Sequence, residues 1–279
     1  MPFKSIAVFV DATPSGEARI CFAARLACAH GSHLIGIFVV PPILNGSPAE
    51  SFVQGRQAVR DVIIALKARE AAAIDAAKQM FSRLCGREDV SFEFRPVHSG
   101  DFDDTVALNS LHTDLVIAGS PRGGGLPSDW PAEAILLATG VPFLLLPESW
   151  SGTAVEHVVV AWNASREARR AISDALPFLI GARSVTILLV DPEENPRHGE
   201  EPGADVAHYL SRHGASVAVE QVASHGEPIA KVMLDYAKNH HTDLIVVGAY
   251  SHGRAAQLVF GGVTRSLLKD AALPLLIAH

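Results

Sequence analysis

The part of the sequence best suited to chemistry is a loop of small residues near the end of the chain. An apolar run precedes it at residues 244–247, short and rich in β-branched residues, as is typical of a strand buried on both faces of a parallel sheet. Gly248 ends this run, Gly261 and Gly262 close the loop, and apolar residues then recur at helical spacing. A strand, a glycine-bearing loop and a helix start together direct backbone N–H groups at an anion. The pattern therefore predicts a phosphate-binding loop.

The spacing of this loop resembles the signature G-x2-G-x9-G-[S/T] that ATP-binding universal stress proteins carry after their fourth strand. Gly248 corresponds to its first glycine, Ser251 to its second, and Gly261 and Gly262 to its last pair. Ser251 replaces glycine, and Gly262 replaces serine or threonine, although paired glycines are common in the bacterial branch of that family. Ser251 is the more serious departure, because a Cβ at this position can crowd a phosphate or disfavour a positive φ.

The resemblance also implies contacts outside the loop. In ATP-binding members, the first strand ends in an acidic residue near the ribose or adenine, and the backbone at the end of the second strand meets the adenine edge. Asn163 and Val190 occupy these positions here. A turn or helix-capping role for Asn163, and a plain core role for Val190, remain alternatives. The complete predicted site for ATP, alone or with Mg²⁺, comprises Ala161, Asn163, Val190, Gly248, Ser251, Arg254, Gly261, Gly262, Val263 and Thr264.

The cations of the loop are arginines, because no lysine lies between Gly248 and the helix. Arg254 can reach over a triphosphate, whereas we expect Arg265, on the helix, to point to solvent or to the other half of the chain. Backbone N–H groups from Gly261 to Val263, reinforced by the helix dipole, are therefore expected to supply most of the binding energy.

Composition limits the class of protein. The chain has 279 residues, 48% of them hydrophobic and 19% charged, which is typical of a compact soluble protein. The net charge of −7 argues against a nucleic-acid partner. No run approaches the roughly 18 apolar residues that span a membrane, and the first residues, MPFKSIAVFVD, show no cleavage signal. Cys21, Cys28 and Cys85 show no CxxC spacing and are expected to be buried thiols. We therefore expect a cytoplasmic protein.

An internal repeat determines the domain organisation. TDLVIAGS at residues 113–120 matches TDLIVVGA at residues 242–249, and a Pro-bearing apolar run follows each of them. The starts of the two copies match as well, at residues 5–18 and 157–168. The chain is therefore predicted to contain two domains, at residues 1–148 and 157–279, joined by a polar connection.

Within each copy, predicted strands alternate with helices, which indicates βαβ units and a parallel sheet. The fold class is α/β, with two tandem doubly wound five-stranded domains. The family resemblance implies an adenine-nucleotide α-hydrolase-like fold with strand order 3-2-1-4-5. A long helix at residues 56–84 is expected to be amphipathic, with its apolar residues on one face. Its counterpart at residues 204–212 is short and follows a disordered-looking segment, residues 193–203.

The first copy lacks the features of the second that predict phosphate binding. It keeps Asp11 and Gly119, but the stretch from Gly119 to the shared proline is three residues shorter than its counterpart. Asp129 and Trp130 stand where the paired glycines belong, and a carboxylate and an indole there would repel and block a phosphate. We therefore expect at most one ATP per chain, in the second half.

The sequence favours a regulatory nucleotide-binding protein of the stress response over a dedicated enzyme. It shows no recognisable nucleophile or general base, and its thirteen histidines follow no structural metal-site spacing. A nucleotide-free dimeric scaffold is one alternative. A weak ATPase or autophosphorylating protein is another, with Ser251, Thr264 and Ser266 as candidate acceptors.

The expected partners are an adenine nucleotide and an unidentified protein. The last strands of the two copies, residues 143–146 and 275–278, are predicted to pair antiparallel into an internal pseudo-dimer, because an exposed edge strand must be paired or covered. Further pairing of whole chains into a homodimer is compatible with this arrangement.

Overall fold

The computed structural model describes residues 2–40, 56–98, 109–120, 136, 138–249 and 261–279. Within them, ten strands form a single sheet. The strands of the first half are β1 (Ser5–Phe9), β2 (His33–Val40), β3 (Phe92–His98), β4 (Leu115–Gly119) and β5 (Phe143–Leu146). Those of the second half are β6 (His157–Ala161), β7 (Ser184–Val190), β8 (Val217–Val222), β9 (Leu244–Gly248) and β10 (Leu275–Ala278).

The order of the sheet is β3-β2-β1-β4-β5-β10-β9-β6-β7-β8. Each half therefore has the predicted order 3-2-1-4-5, and all its strands are parallel. β5 and β10 pair antiparallel, with Leu144 opposite Leu276. The predicted internal pairing of the two halves is thus confirmed, and it leaves β3 and β8 as the outer strands of the sheet. The domain boundaries at residues 148 and 157 stay predictions.

The helices flank this sheet. In the first half they are α1 (Pro14–His30) and α2 (Arg56–Cys85), and in the second α3 (Arg166–Gly181), α4 (Ala204–Arg212), α5 (Ile229–Asn239) and α6 (Gly262–Asp270). α1 and α3 begin at equivalent caps, where Thr13 Oγ1 accepts from Gly16 N at 3.0 Å and Ser165 Oγ accepts from Ala168 N at 3.1 Å. No helix in the described part of the chain is long and apolar enough to cross a membrane.

Two apolar layers cover the faces of the sheet. In β1, Ile6 and Val8 belong to one layer, while Ala7 and Phe9 belong to the other. The central strands are therefore buried on both faces, as their uninterrupted apolar runs predict. The two halves share the first layer, in which the ring of Phe3 lies 5.5 Å from that of Phe178 on α3.

The predicted apolar face of α2 is buried along only part of the helix. Phe81 and Leu84, near its end, are buried against the sheet layer. Val62 and Ile63 are instead 54% and 45% exposed, so the predicted single apolar face does not extend to the first half of the helix. The apolar periodicity is present in the sequence, but only the C-terminal half of α2 packs on the sheet.

Two further expectations are corrected. The segment at residues 193–203 forms ordered turns, including 3-10 turns at Pro192–Glu194 and Pro196–His198. The cysteines are free thiols, but only Cys85 is buried, while Cys28 is exposed and Cys21 is intermediate. Burial raises the pKa of Cys85 to about 12.

Candidate functional site

A cavity of about 360 Å³ lies at the carboxyl ends of the second-half strands. It lies where β6 is flanked by β7 on one side and β9 on the other. This is the point at which the strand order reverses and doubly wound sheets bind their ligands. Its walls are formed by Ala161, Trp162, Asn163, Ser165, Leu188, Val190, Asn195, Arg197, Ile229, Met233, Val247, Gly248, Gly261, Gly262, Val263 and Thr264.

The cavity brings together every predicted site residue that the structure describes. Ala161, Asn163, Val190, Gly248, Gly261, Gly262, Val263 and Thr264 all line it. Ser251 and Arg254 lie outside the described residues, as do Asp129 and Trp130 of the first half. The assignment of these residues to a bound nucleotide stays a prediction.

The start of α6 forms one wall of the cavity. Gly261 is its N-cap, with φ −60° and ψ 157°, and no side chain caps the helix. The N–H groups of Gly262, Val263 and Thr264 belong to the first turn, where α-helical geometry provides no intrahelical acceptor. A Cβ added at Gly262 would meet no atom within 4 Å in the described structure. Among the described residues, the helix start therefore combines uncapped N–H groups with an unfilled space beside Gly262.

Gly248 has a packing role that its loop position alone does not reveal. A Cβ at this residue would lie 2.4 Å from Ala168 N and 2.4 Å from the carbonyl carbon of Glu167. The end of β9 thus passes directly against the first turn of α3. Glycine is required here for this close approach, whether or not a ligand is bound.

Asn163 is engaged in the turn that leads into α3. Its Oδ1 accepts from Ser165 N at 3.2 Å and from Ser165 Oγ at 2.7 Å. This is the turn role that the sequence left open as an alternative; the cap itself is Ser165. The side chain still borders the cavity, so its Nδ2 group can donate to a ligand hydroxyl while Oδ1 holds the turn.

The turns after β7 supply residues that the sequence did not predict. Asn195 Nδ2 donates to the backbone oxygen of Asn163 at 3.0 Å, and Asn195 Oδ1 accepts from Arg197 N at 3.1 Å. Both residues lie in the segment that looked disordered in the sequence, so neither was predicted to line a site. The signal that could have found them is turn chemistry, since proline follows both Asp191 and Asn195.

Ile229 and Met233 of α5 are further lining residues that were not predicted. Met233 and Leu188 belong to one buried apolar cluster, against which Val190 packs. With Ile229, these side chains give the cavity lining an apolar part. Apolar residues at helical spacing in α5 predict a core face. In the sequence, this spacing does not distinguish residues that line a ligand site from residues of the core.

The cavity is electrostatically suited to an anion. Among its described lining residues, Arg197 is the sole charged one, and none is a carboxylate. Glu167 lies nearby at the start of α3 and is mostly buried. Burial opposes its ionisation, but the hydrogen bond from Arg166 Nε at 2.7 Å leaves its pKa below the usual value. Within the described residues, no cluster of three His, Cys, Asp or Glu side chains could hold a metal ion.

In the first half, Asp11 occupies the position equivalent to Asn163 and has different hydrogen-bond and ion-pair partners. Asp11 forms an ion pair with Arg19, whose side chain is only 2% exposed and whose Nε donates to Phe9 O at 3.0 Å. Asp11 Oδ1 also accepts from Thr13 N at 3.0 Å. The carboxylate that could meet a ribose in this half is therefore occupied by the protein itself.

Comparison with known proteins places these features in a family context. Residues 154–279 match the model of the universal stress protein family. Among curated proteins, universal stress protein Slr1230 of Synechocystis sp. is 24% identical over 182 residues, or 63% of this chain. The matched part spans 58% of the length of that relative.

Solved structures match the chain over nearly its full length. A universal stress protein from Archaeoglobus fulgidus DSM 4304 gives a TM-score of 0.71 at 12% identity, covering 98% of this chain and 97% of that one. A functionally unknown protein from Pseudomonas aeruginosa PAO1 gives 0.61 at 14% identity, covering 99% and 92%. At such identities the likeness shows a shared two-half fold.

Proposed function

Because residues 154–279 match the model of the universal stress protein family, we propose that this chain is a regulatory protein of the stress response that binds ATP in its second half. The ligand is ATP, free or as its magnesium complex. The protein acts by binding, in the cytoplasm, and passes the nucleotide state to a protein partner. It is not a dedicated enzyme.

One observation carries this proposal. A single cavity joins an uncapped helix start to an apolar wall at the strand-order switch point. Its volume of about 360 Å³ lies within the roughly 300–1,000 Å³ range of small-ligand pockets. The open space at Gly262 fits a phosphate, because backbone donors border it and no described side chain fills it.

The lining suggests an orientation for the nucleotide. The phosphates lie at the start of α6, where N–H groups and the helix dipole favour negative charge. The adenine lies against the apolar wall formed by Val190, Ile229 and Met233. The ribose lies between them, within reach of the amide group of Asn163.

Calorimetric titration of the full chain with ATP tests the proposal. We expect one binding site per chain. Gly261→Val should abolish binding and leave the fold intact, because a branched side chain at the helix start crowds the phosphates and restricts the backbone. Absence of ATP binding to the native protein, or unchanged binding after Gly261→Val, would favour the nucleotide-free scaffold.

Phosphate-release assays and mass measurement after incubation with Mg-ATP separate binding from turnover. We expect neither steady hydrolysis nor a phosphorylated chain. Sustained phosphate release, or phosphate on Ser251, Thr264 or Ser266, would instead support the weak ATPase or autophosphorylating alternative.

A further inference from the structure

The turns between β7 and α4 place a cation at the candidate nucleotide cavity. Arg197 follows Pro196 in the second 3-10 turn and lines the cavity that the start of α6 also lines. The side chain is exposed, so its guanidinium is free to move at the mouth of the cavity. From the sequence, Arg254 was the only side-chain cation predicted to reach the phosphates.

Hydrogen bonds hold the backbone of this arginine at the switch point. Asn195 donates to the carbonyl of Asn163, which follows β6, and accepts from the N–H of Arg197. Pro192, at the base of the same turns, is buried. Asn195 therefore ties Arg197 to the end of the strand on which the cavity is built.

The charge of Arg197 is not neutralised by the described protein. Ion pairs within 4.0 Å occupy several other arginines, including Arg166 and Arg183, but none within the described residues involves Arg197. The same segment carries carboxylates, but these are absent from the described cavity lining; they are Glu193, Glu194, Glu200 and Glu201. An unpaired guanidinium at an otherwise uncharged wall is suited to an anionic ligand.

The helix start alone cannot serve a whole triphosphate. Its first-turn N–H groups converge on one anion. A nucleotide with two or three phosphates carries further charge beyond that point, and a guanidinium fork matches phosphate oxygens in pairs. A second anion-binding group in the same cavity would therefore act on the length of the phosphate chain.

We propose that Arg197 is the residue that makes this cavity select polyphosphate nucleotides, by binding the phosphates of ATP that the start of α6 does not hold. Asn195 is its positioning residue. This inference rests on the proposed binding of adenine nucleotide, and it adds selectivity for ATP over AMP.

Titration of ATP and AMP into the native full chain and into variants tests this selectivity. We expect Arg197→Ala to weaken ATP binding by about 10- to 100-fold, the effect of losing a charge-assisted hydrogen bond. AMP binding should change by less than about threefold, because its single phosphate is held at the helix start. Arg197→Lys should lie between native and Arg197→Ala, since it keeps the charge but not the fork.

The matched control is Arg183→Ala, which removes one positive charge at the start of β7, where Arg183 pairs with Glu156 at 3.2 Å. It should leave both affinities unchanged. Asn195→Ala should reduce the ratio of ATP to AMP affinity in the same direction as Arg197→Ala, with no shift in the unfolding midpoint beyond that of the control. A loss confined to stability, with the affinity ratio unchanged, would show that Asn195 is merely structural and would overturn the positioning role.

The outcomes separate this inference from the function on which it rests. If the native chain binds neither nucleotide, the proposed function fails and selectivity fails with it. If the native chain binds ATP but Arg197→Ala weakens ATP and AMP equally, or weakens neither, only the role of Arg197 is overturned.

Discussion

At the scale of single residues, the glycines around the cavity differ in what they contact. Gly248 is packed against the backbone of α3, whereas the position of a Cβ at Gly262 is open. The sequence signature treats the two alike. Geometry separates them, because one glycine permits two elements to approach and the other leaves room that a ligand could fill.

A pair of alanine variants tests this difference. Gly248→Ala should destabilise the protein by about 1–3 kcal/mol or more, because its Cβ meets a backbone that cannot move independently of α3. Gly262→Ala should leave the free energy of unfolding nearly unchanged and weaken ATP binding. Denaturant titration and calorimetry measure the two quantities. Equal destabilisation by both substitutions would contradict the assignment.

The residues predicted from sequence were those of a regular pattern. Asn163, Val190 and the α6 glycines follow from strand ends and helix starts, and all of them line the cavity. Asn195 and Arg197 do not follow, because their position depends on a hydrogen bond from Asn195 to Asn163, which lies on the other side of β7 in the sequence. The sequence also could not show that Asp11 would be held by the buried guanidinium of Arg19.

At the scale of elements, the structure explains why the sequence repeats a TD dipeptide before β4 and β9. Asp114 Oδ2 accepts from Lys4 N at 2.6 Å and Ser5 N at 3.0 Å, and Asp243 Oδ2 accepts from Glu156 N at 2.9 Å and His157 N at 2.8 Å. In each half, one carboxylate before the fourth strand holds the start of the first. The repeated dipeptide therefore marks an equivalent structural contact in the two halves.

Substitution of this carboxylate should lower stability without affecting the cavity. Asp243→Ala removes the acceptor of two backbone donors and should cost about 1–3 kcal/mol. Asp243→Asn keeps an acceptor oxygen and should cost less. Chemical denaturation measures both, with the exposed Asp235→Ala as the control. If Asp243→Ala proved as mild as Asp235→Ala, the carboxylate would not be what holds the strand start.

The positions of helices and strands could be predicted from the sequence where its apolar periodicity matches the side chains that are buried in the structure. The strands follow from short apolar runs, and α4 was placed at its observed bounds because its flanks are polar and glycine-bearing. α2 shows the limit of this reasoning. Its apolar residues recur at helical spacing, yet Val62 is 54% exposed, because periodicity reports a face and not whether anything packs against it.

At the scale of the whole molecule, the chain is one continuous sheet with two unlike halves. β5 and β10 join them through a short antiparallel pairing, and the ring of Phe3 in the first half lies 5.5 Å from that of Phe178 in the second. Here one chain contains both copies, and the last strand of each half covers the edge of the other.

Leu276 tests whether the two halves behave as one cooperative unit. This residue faces Leu144 across the junction, and both side chains are fully buried. Leu276→Ala should destabilise the protein by about 2–5 kcal/mol, the usual cost of a large cavity in a core. If the shared layer couples the halves, hydrogen-exchange protection will fall in β1 and β2 as well as in β6 and β7, and thermal unfolding will remain a single transition.

The control for this variant is Leu111→Ala, the same chemical change at a side chain that is 41% exposed. It should leave protection and the midpoint almost unchanged, because it removes little buried surface. Loss of protection in the second half alone after Leu276→Ala would show that each half folds independently and that β5 and β10 only attach them. Loss in both halves would mean that the first half, although its Asp11 is held by Arg19, contributes to the stability of the cavity in the second.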